Sequence, residues 1–185
     1  MLRTPRGASP AATLLVALLM LVGCAPRPEP PDPPGARALR ERLVLVVTAT
    51  EDGDRLHPVR PSVGVPLAGG GVLAVLPAGD VRVSAFVFED GRWVGRRATP
   101  RLSTGTLARL EIDGIKGAFR PAVGQAAWVV TVRGEAGLWD DRALQVAAAT
   151  DQLPKRAAVF TASYGLIGLT DGRGQLHPVV TSSTP

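Results

Sequence analysis

The stretch Asp80–Gly91, DVRVSAFVFEDG, decides the fold class of this chain. Successive side chains of a strand point to opposite faces, so an apolar residue at every second position marks one buried face. The residues that share this face are Val81, Val83, Ala85 and Val87. The stretch ends in Asp-Gly, a dipeptide that tolerates the positive φ angles of tight hairpins. It therefore predicts an antiparallel strand that runs into a hairpin.

Other stretches also have the residue pattern of β-strands. Leu43–Thr50 is apolar on both faces and rich in β-branched residues, which predicts a central strand. Thr106–Ile112 and Ala127–Arg133 alternate, and in the latter Trp128 falls on the buried face. Gly (21 residues) and Pro (17 residues) are abundant, as expected for many short strands separated by turns. We predict an all-β fold of about ten strands, either an antiparallel Ig-like sandwich or a partly open barrel.

One stretch is ambiguous. Asp140–Gln152 has two acidic residues followed by an alanine-rich run, a pattern that suits a short helix or a further strand. We favour the strand.

The N-terminus has the three zones of an export signal. Met1–Gly7 carries two arginines, and Ala11–Val22 is a run of twelve apolar or small residues. Spanning a bilayer as a helix takes about 20 residues, so this run has the length of a signal-peptide core instead. It is followed by Gly23 and Cys24, the only cysteine of the chain.

Leu21-Val22-Gly23-Cys24 resembles the lipobox of bacterial lipoproteins. The resemblance implies that residues 1–23 are a signal peptide cut between Gly23 and Cys24, and that the Cys24 thiol carries fatty acids such as palmitate. It also implies a lipid anchor in the cell membrane or the outer membrane, with the protein facing the periplasm or the exterior. The alternative is an ordinary signal peptide, or an uncleaved anchor, with an incidental cysteine.

A proline-rich segment follows the lipobox. Ala25–Arg37 contains six prolines in thirteen residues, APRPEPPDPPGAR, which favours extended polyproline II. We therefore divide the chain into a signal peptide (1–23), a lipidated cysteine and tether (24–37) and a single β domain (38–185).

Two further similarities concern the domain. Gly71–Asp113, which includes VLAVLPAGDVRVSAFVFEDG, resembles transthyretin-like or carboxypeptidase-regulatory-like sandwich modules; this implies a non-catalytic accessory module and supplies no functional residues. Asp52–Val59 and Asp171–Val179 both read as a turn followed by Leu-His-Pro. This sequence similarity reflects either a duplication that produced two related halves (40–115 and 125–182) or chance.

The charge does not indicate a nucleic-acid partner. The formal net charge is +5, and removal of the signal peptide would reduce it to +3. Nucleic-acid binders cluster positive charge on one element. Here the arginines are dispersed, and the only dense cluster (Arg92, Arg96, Arg97 and Arg101) is interpreted as a solvated strand edge or loop.

The sequence offers little catalytic or metal-binding chemistry. His57 and His177 are the only histidines, and a zinc site needs three or four ligands. Glu51–Asp54 lacks the spacing of a calcium loop. Ala162–Gly165 lacks the first glycine of a nucleophile elbow. We therefore predict no catalytic residue, no metal and no cofactor.

The tryptophans give the one indication of a ligand. Trp93 and Trp139 lie near turns, where exposed rings could form a carbohydrate platform. We predict a non-catalytic module that is anchored to a membrane and binds an envelope protein or glycan. The alternatives are an envelope hydrolase with an unrecognised site and a purely structural spacer lipoprotein.

Overall fold

A computed structural model describes residues 32–52, 55–58, 61–77, 81–104, 106–115, 117–134, 139–140 and 142–179. In these residues the regular structure consists of one short helix and twelve strands. They are α1 (Ala36–Arg40), β1 (Val44–Asp52), β2 (Arg55–Pro58), β3 (Ser62–Pro66), β4 (Val72–Val75), β5 (Val81–Glu89), β6 (Arg92–Thr104), β7 (Leu107–Ile112), β8 (Trp128–Val132), β9 (Leu144–Ala148), β10 (Ala158–Phe160), β11 (Leu166–Thr170) and β12 (Leu176–Pro178).

The first seven strands form an antiparallel sheet that closes on itself. Its order is β2-β1-β3-β4-β7-β6-β5, and β1 also pairs with β5 from Val44 opposite Val87 to Thr50 opposite Val81. This pairing closes a six-strand barrel of β1, β3, β4, β7, β6 and β5, because β1 pairs with β3 on one side and with β5 on the other; β2 pairs only with β1. The long strand β6 bends where its register shifts between Pro100 and Leu102, so its first half pairs with β5 and its second half with β7.

Small residues allow this narrow barrel to close. Ala74, Ala85 and Ala108 lie in its apolar interior with several valines, Leu110 and Ile112. Gly64 faces the same space, and a Cβ there would lie 2.7 Å from a methyl carbon of Val46. The barrel interior is therefore filled by side chains and leaves no lumen for a ligand.

The last five strands form a second antiparallel sheet, in the order β12-β11-β10-β8-β9. Its inner face packs against the outer face of β1, β3 and β4. The shared core comprises Leu43, Leu45, Val63, Val65, Phe119, Val130, Leu144, Val146, Phe160 and Leu166. Alternation explains the arrangement: β1 directs Val44 and Val46 into the barrel and Leu45 toward the second sheet. The predicted two-faced apolar strand at Leu43–Thr50 is thus buried on both sides.

The folded unit begins inside the segment predicted as tether. Compact structure extends from Asp32, and α1 starts at Ala36, which is 1% exposed. The Tyr164 hydroxyl donates a hydrogen bond to the carbonyl of Pro34 at 3.1 Å. Asp32 to Arg37 therefore belong to the same compact unit as the strands, and the predicted division into tether and domain stays a prediction.

The all-β antiparallel prediction is confirmed, and the barrel is closed rather than partly open because β1 bonds to β5. The ambiguous stretch Asp140–Gln152 contains a strand, β9. Asp90 and Gly91 form the predicted hairpin turn, with φ of 50° and 80°.

The two Leu-His-Pro segments occupy similar positions in the structure. β2 pairs with β1, with His57 opposite Thr50, and β12 pairs with β11, with His177 opposite Leu169. Both segments are short second strands of hairpins, and in each the proline lies at the strand end, where a missing N–H is tolerated. One repeat belongs to the barrel sheet and the other to the second sheet. Whether the two halves are related stays a prediction.

Candidate functional site

Aromatic side chains gather outside the barrel, beside the β5–β6 hairpin. Because Ala85 faces the barrel interior, Phe86 and Phe88 point outward by alternation. Trp93 is the cross-strand partner of Phe88, and their ring centroids lie 5.2 Å apart at an interplanar angle of 62°. Trp139 meets Phe86 in a similar edge-to-face contact, at 5.1 Å. Such edge-to-face pairs are a preferred aromatic geometry.

The two tryptophans predicted as a ligand platform therefore line one cavity. This cavity of about 400 Å³ lies between the hairpin and the segment before β9, and Trp93 and Trp139 form part of its wall. The Trp93 indole N–H donates a hydrogen bond to the carbonyl of Asp140 at 2.7 Å, which fixes the hairpin to that segment. Trp128 lies elsewhere: it is half-buried as alternation indicated, packs on the shared core and stacks on Tyr164.

A larger cavity of about 630 Å³ adjoins the first. The two share Phe88, Gly91, Trp93 and Asp140, so we treat them together as the aromatic cleft. The opposite wall of the larger cavity is charged. It is formed by Asp32 and α1 residues Arg37, Arg40 and Glu41, together with Arg142. The aromatic cleft thus has an aromatic side and a charged side.

Ion pairs organise the charged wall. The Arg40 guanidinium donates to both carboxylate oxygens of Asp32, at 2.8 and 2.7 Å. Arg37 pairs with Glu41 one helical turn later, at 2.8 Å. The hydrogen bonds from Arg40 hold the pKa of Asp32 below its ordinary value, with a smaller contribution from the charge of Arg142. The carboxylate of Asp32 is consequently an ionised hydrogen-bond acceptor at neutral pH.

The cleft wall contains one buried polar atom that has no hydrogen-bond partner among the described residues. The indole nitrogen of Trp139 is shielded from solvent and finds no acceptor among the described residues. A buried N–H without a partner destabilises the folded state by about 1–3 kcal/mol.

Several site residues could not be found from the sequence. Asp32 fell in the predicted tether and Arg40 just beyond it, and no local pattern connects either to the tryptophans. Alternation along β5 sets Phe86 and Phe88 on the face opposite the buried one. This pattern could have indicated that both aromatic side chains point away from the barrel interior. Cys24 and Gly23, the predicted lipidation and cleavage positions, lie outside the described residues.

The other candidate groups have ordinary structural partners. His177 faces Asp171, with Nε2 at 3.4 Å from Oδ2, and His57 belongs to the other sheet. The Ser163 hydroxyl shares a hydrogen bond with that of Thr161. Within the described part of the chain, no group of three or more His, Cys, Asp and Glu side chains is arranged to hold a metal ion.

The arginine-rich cluster lies along β6, which is flanked by β7 and β5 in the sheet order and is therefore not the predicted strand edge or loop. Arg96 makes two hydrogen bonds to Glu89, and Arg101 pairs with Glu111 across the β6–β7 ladder. Arg92 is exposed and lines the smaller cavity. The cluster is therefore distributed over several partners and does not form one basic patch.

Comparison with known proteins adds no assignment: no protein family and no curated protein matches the chain. In the described residues, no helix has the length and apolar character needed to cross a membrane.

Proposed function

We propose that this chain is a membrane-anchored lipoprotein whose β module binds another component of the cell envelope without catalysing a reaction. The lipobox resemblance at Leu21–Cys24 supports the anchor. The aromatic cleft supports the binding role, and it is the observation that carries this part. Cavities of several hundred Å³, lined by aromatic side chains and a few convergent polar groups, are the usual form of ligand sites.

The charges of the cleft favour binding over catalysis. Asp32 accepts hydrogen bonds from Arg40 and Glu41 from Arg37, and the third carboxylate, Asp140, accepts one from the backbone N–H of Arg142. General acid catalysis needs a carboxyl with a raised pKa, whereas the pKa of Asp32 is lowered. The groups that line the aromatic cleft are therefore suited to orienting a ligand.

The sequence also limits how far the cleft can lie from the anchor. Asp32 follows Cys24 by eight residues, and eight fully extended residues span at most roughly 29 Å. Two or three acyl chains on Cys24 would anchor the protein stably. The ligand of the cleft is accordingly a component found close to a membrane surface.

The anchor is tested by metabolic labelling with palmitate. We expect the unchanged protein and the neighbouring control Ala25→Ser to be labelled, since both keep the lipobox cysteine. Cys24→Ser should lose the label, because serine provides no thiol for the lipid. Labelling of Cys24→Ser would overturn the proposed anchor.

The binding role is tested by crosslinking in intact cells, with an affinity tag after Pro185. We expect one dominant envelope component to be captured by the unchanged protein and lost with Trp93→Ala. The control Trp128→Phe changes a tryptophan outside the cleft and should capture normally. Absence of any enriched protein would count against a protein partner and would favour the structural spacer or a small ligand such as a glycan.

A further inference from the structure

The ligand of the aromatic cleft can be narrowed from the chemistry of its walls. We propose that the cleft binds an anionic saccharide of the cell envelope, with Trp93 as the platform on which a sugar ring stacks. This inference rests on the proposed function and names the ligand class of the same site.

The aromatic side of the cleft matches the apolar face of a sugar. A pyranose ring presents its C–H groups on one face, and aromatic rings offer a large rigid surface for such groups. Trp93 is half-buried and held by its hydrogen bond to Asp140, so its ring is pre-oriented. Phe88 packs against it edge to face. A fixed ring loses little conformational freedom on binding.

The charged side matches the hydroxyl groups of a sugar. Each hydroxyl both donates and accepts, so it is satisfied best where donors and acceptors alternate. Asp32 and Arg40 place a carboxylate and a guanidinium side by side on this wall. Asp140 lines both cavities and adds a second carboxylate to the acceptors near the aromatic side chains.

The balance of charge favours an anionic sugar over a neutral one. The described residues that line the two cavities include four arginines and three carboxylates, which gives this part of the lining a formal charge of +1. Arginine binds carboxylates with planar, paired hydrogen bonds. Arg92, exposed next to Trp93, is placed to interact with a carboxylate on a stacked sugar.

The probe is a bacterial envelope glycan with such carboxylates. Peptidoglycan glycan strands freed from their peptides alternate N-acetylglucosamine with N-acetylmuramic acid, which carries a lactyl carboxylate. The neutral counterpart is the β-1,4-linked N-acetylglucosamine tetramer, which has the same backbone without the carboxylates. Binding of each to the full chain in detergent is measured by titration calorimetry and by tryptophan fluorescence.

We expect the glycan strands to bind about tenfold more tightly than the neutral tetramer, a preference that Arg92→Gln should reduce. Trp93→Ala should weaken strand binding about tenfold or more through loss of stacking. Trp93→Phe, which keeps an aromatic ring, should retain part of the affinity, and the control Trp128→Phe should bind normally. A cooperative unfolding transition for each variant excludes misfolding as the cause.

Three results would overturn the inference. They are absence of binding by both probes, equal binding of the neutral and anionic probes, and binding of anionic phospholipid vesicles with no binding of the strands. None of these affects palmitate labelling at Cys24 or capture of an envelope protein in cells. Failure of the saccharide inference is therefore distinguishable from failure of the proposed function.

Discussion

The Arg40 guanidinium donates two parallel hydrogen bonds to the carboxylate of Asp32, Nη1 to Oδ1 at 2.8 Å and Nη2 to Oδ2 at 2.7 Å. This pair joins the end of the proline-rich segment to α1. It also forms part of the charged wall of the aromatic cleft. Attachment of the N-terminal segment and shaping of the cleft thus depend on the same contact.

The Asp32–Arg40 pair should make stability depend on pH. Folding lowers the pKa of Asp32 below its ordinary value of 3.8, mainly because Arg40 donates to it. The pair therefore stabilises the protein above that pKa, and this contribution is lost as the pH falls. Asp32→Asn should lower the free energy of unfolding by about 0.5–1 kcal/mol at pH 7, since the Asp32 side chain is 52% exposed and its ion pair is therefore screened by solvent.

The measurement is urea unfolding of the unchanged protein and Asp32→Asn at several pH values. The difference between them should be present at pH 7 and smaller at the lowest pH tested, because it is lost as the pH falls below the ordinary value of 3.8 and through the lowered pKa of Asp32. Asp151→Asn, at an exposed loop position, is the control and should have no such effect. A difference for Asp32→Asn that is the same at both pH values would contradict the prediction.

The turn before α1 should tolerate no side chain at Gly35. Gly35 has a φ of 81°, and a Cβ there would overlap the hydroxyl oxygen of Tyr164. Gly35→Ala should therefore destabilise the protein by about 1–3 kcal/mol, from backbone strain and this overlap. Gly91→Ala is the matched control, because Gly91 has a φ of 80° but open space around it.

A double-mutant cycle separates the two causes. Tyr164→Phe removes the overlapping oxygen, so Gly35→Ala should cost less in that background than in the unchanged protein. Thermal or urea unfolding of the four proteins gives the coupling. Additive costs would show that the Tyr164 hydroxyl is not the obstacle.

The barrel interior should not accommodate one extra methyl group at Gly64. An alanine Cβ would lie 2.7 Å from Val46 Cγ2 and 2.9 Å from Val72 Cγ1. We expect Gly64→Ala to lower the free energy of unfolding by about 1–3 kcal/mol through overpacking. Gly95→Ala, also in a strand, makes only ordinary contacts with Phe86 and should be neutral or slightly stabilising. Equal effects of the two substitutions would mean that the barrel interior has spare volume.

The β11–β12 turn should depend on the ionised side chain of Asp171. Its Oδ1 accepts hydrogen bonds from the backbone N–H groups of Arg173 and Gln175, at 2.7 and 2.9 Å. These bonds, the one from Gln175 foremost, lower the pKa of Asp171. The turn is therefore stabilised above the ordinary carboxyl pKa, and the stabilisation is lost as the pH falls through the lowered value.

Amide hydrogen exchange measures this turn directly. In Asp171→Ala the amides of Arg173 and Gln175 should exchange faster, because they lose their acceptor. Asp171→Asn keeps one acceptor oxygen and should have an intermediate effect. Unchanged protection of both amides in Asp171→Ala would show that the carboxylate does not hold the turn.

Local patterns predicted much of the strand content. The alternation in Asp80–Gly91 gives β5 and its hairpin, and the two-faced apolar run at Leu43–Thr50 gives β1, buried between two layers. These predictions succeed because the side-chain period of a strand and the φ preferences of Asp-Gly are properties of adjacent residues. The contacts of Asp32 with Arg40 and of Pro34 with Tyr164 could not be predicted, because composition alone does not reveal side-chain contacts.

The aromatic cleft was only partly predictable. Trp93 and Trp139 could be proposed as ligand-binding residues because both lie near turns. Their common cavity depends on the packing of the β5–β6 hairpin against the segment before β9, and the charged wall depends on α1. These elements are distant in sequence.

By itself the sequence determined the all-β class, most strands and hairpins, and the lipobox pattern on which the proposed anchor rests. Only the tertiary structure decided that β1 pairs with β5 to close a barrel, that a second sheet shares its outer core, and that Asp32 and Arg40 meet the tryptophans in one cleft. The physical reason is the range of the interactions. Periodicity and turn chemistry are local, whereas closure and cleft formation depend on which distant surfaces bury their apolar area together.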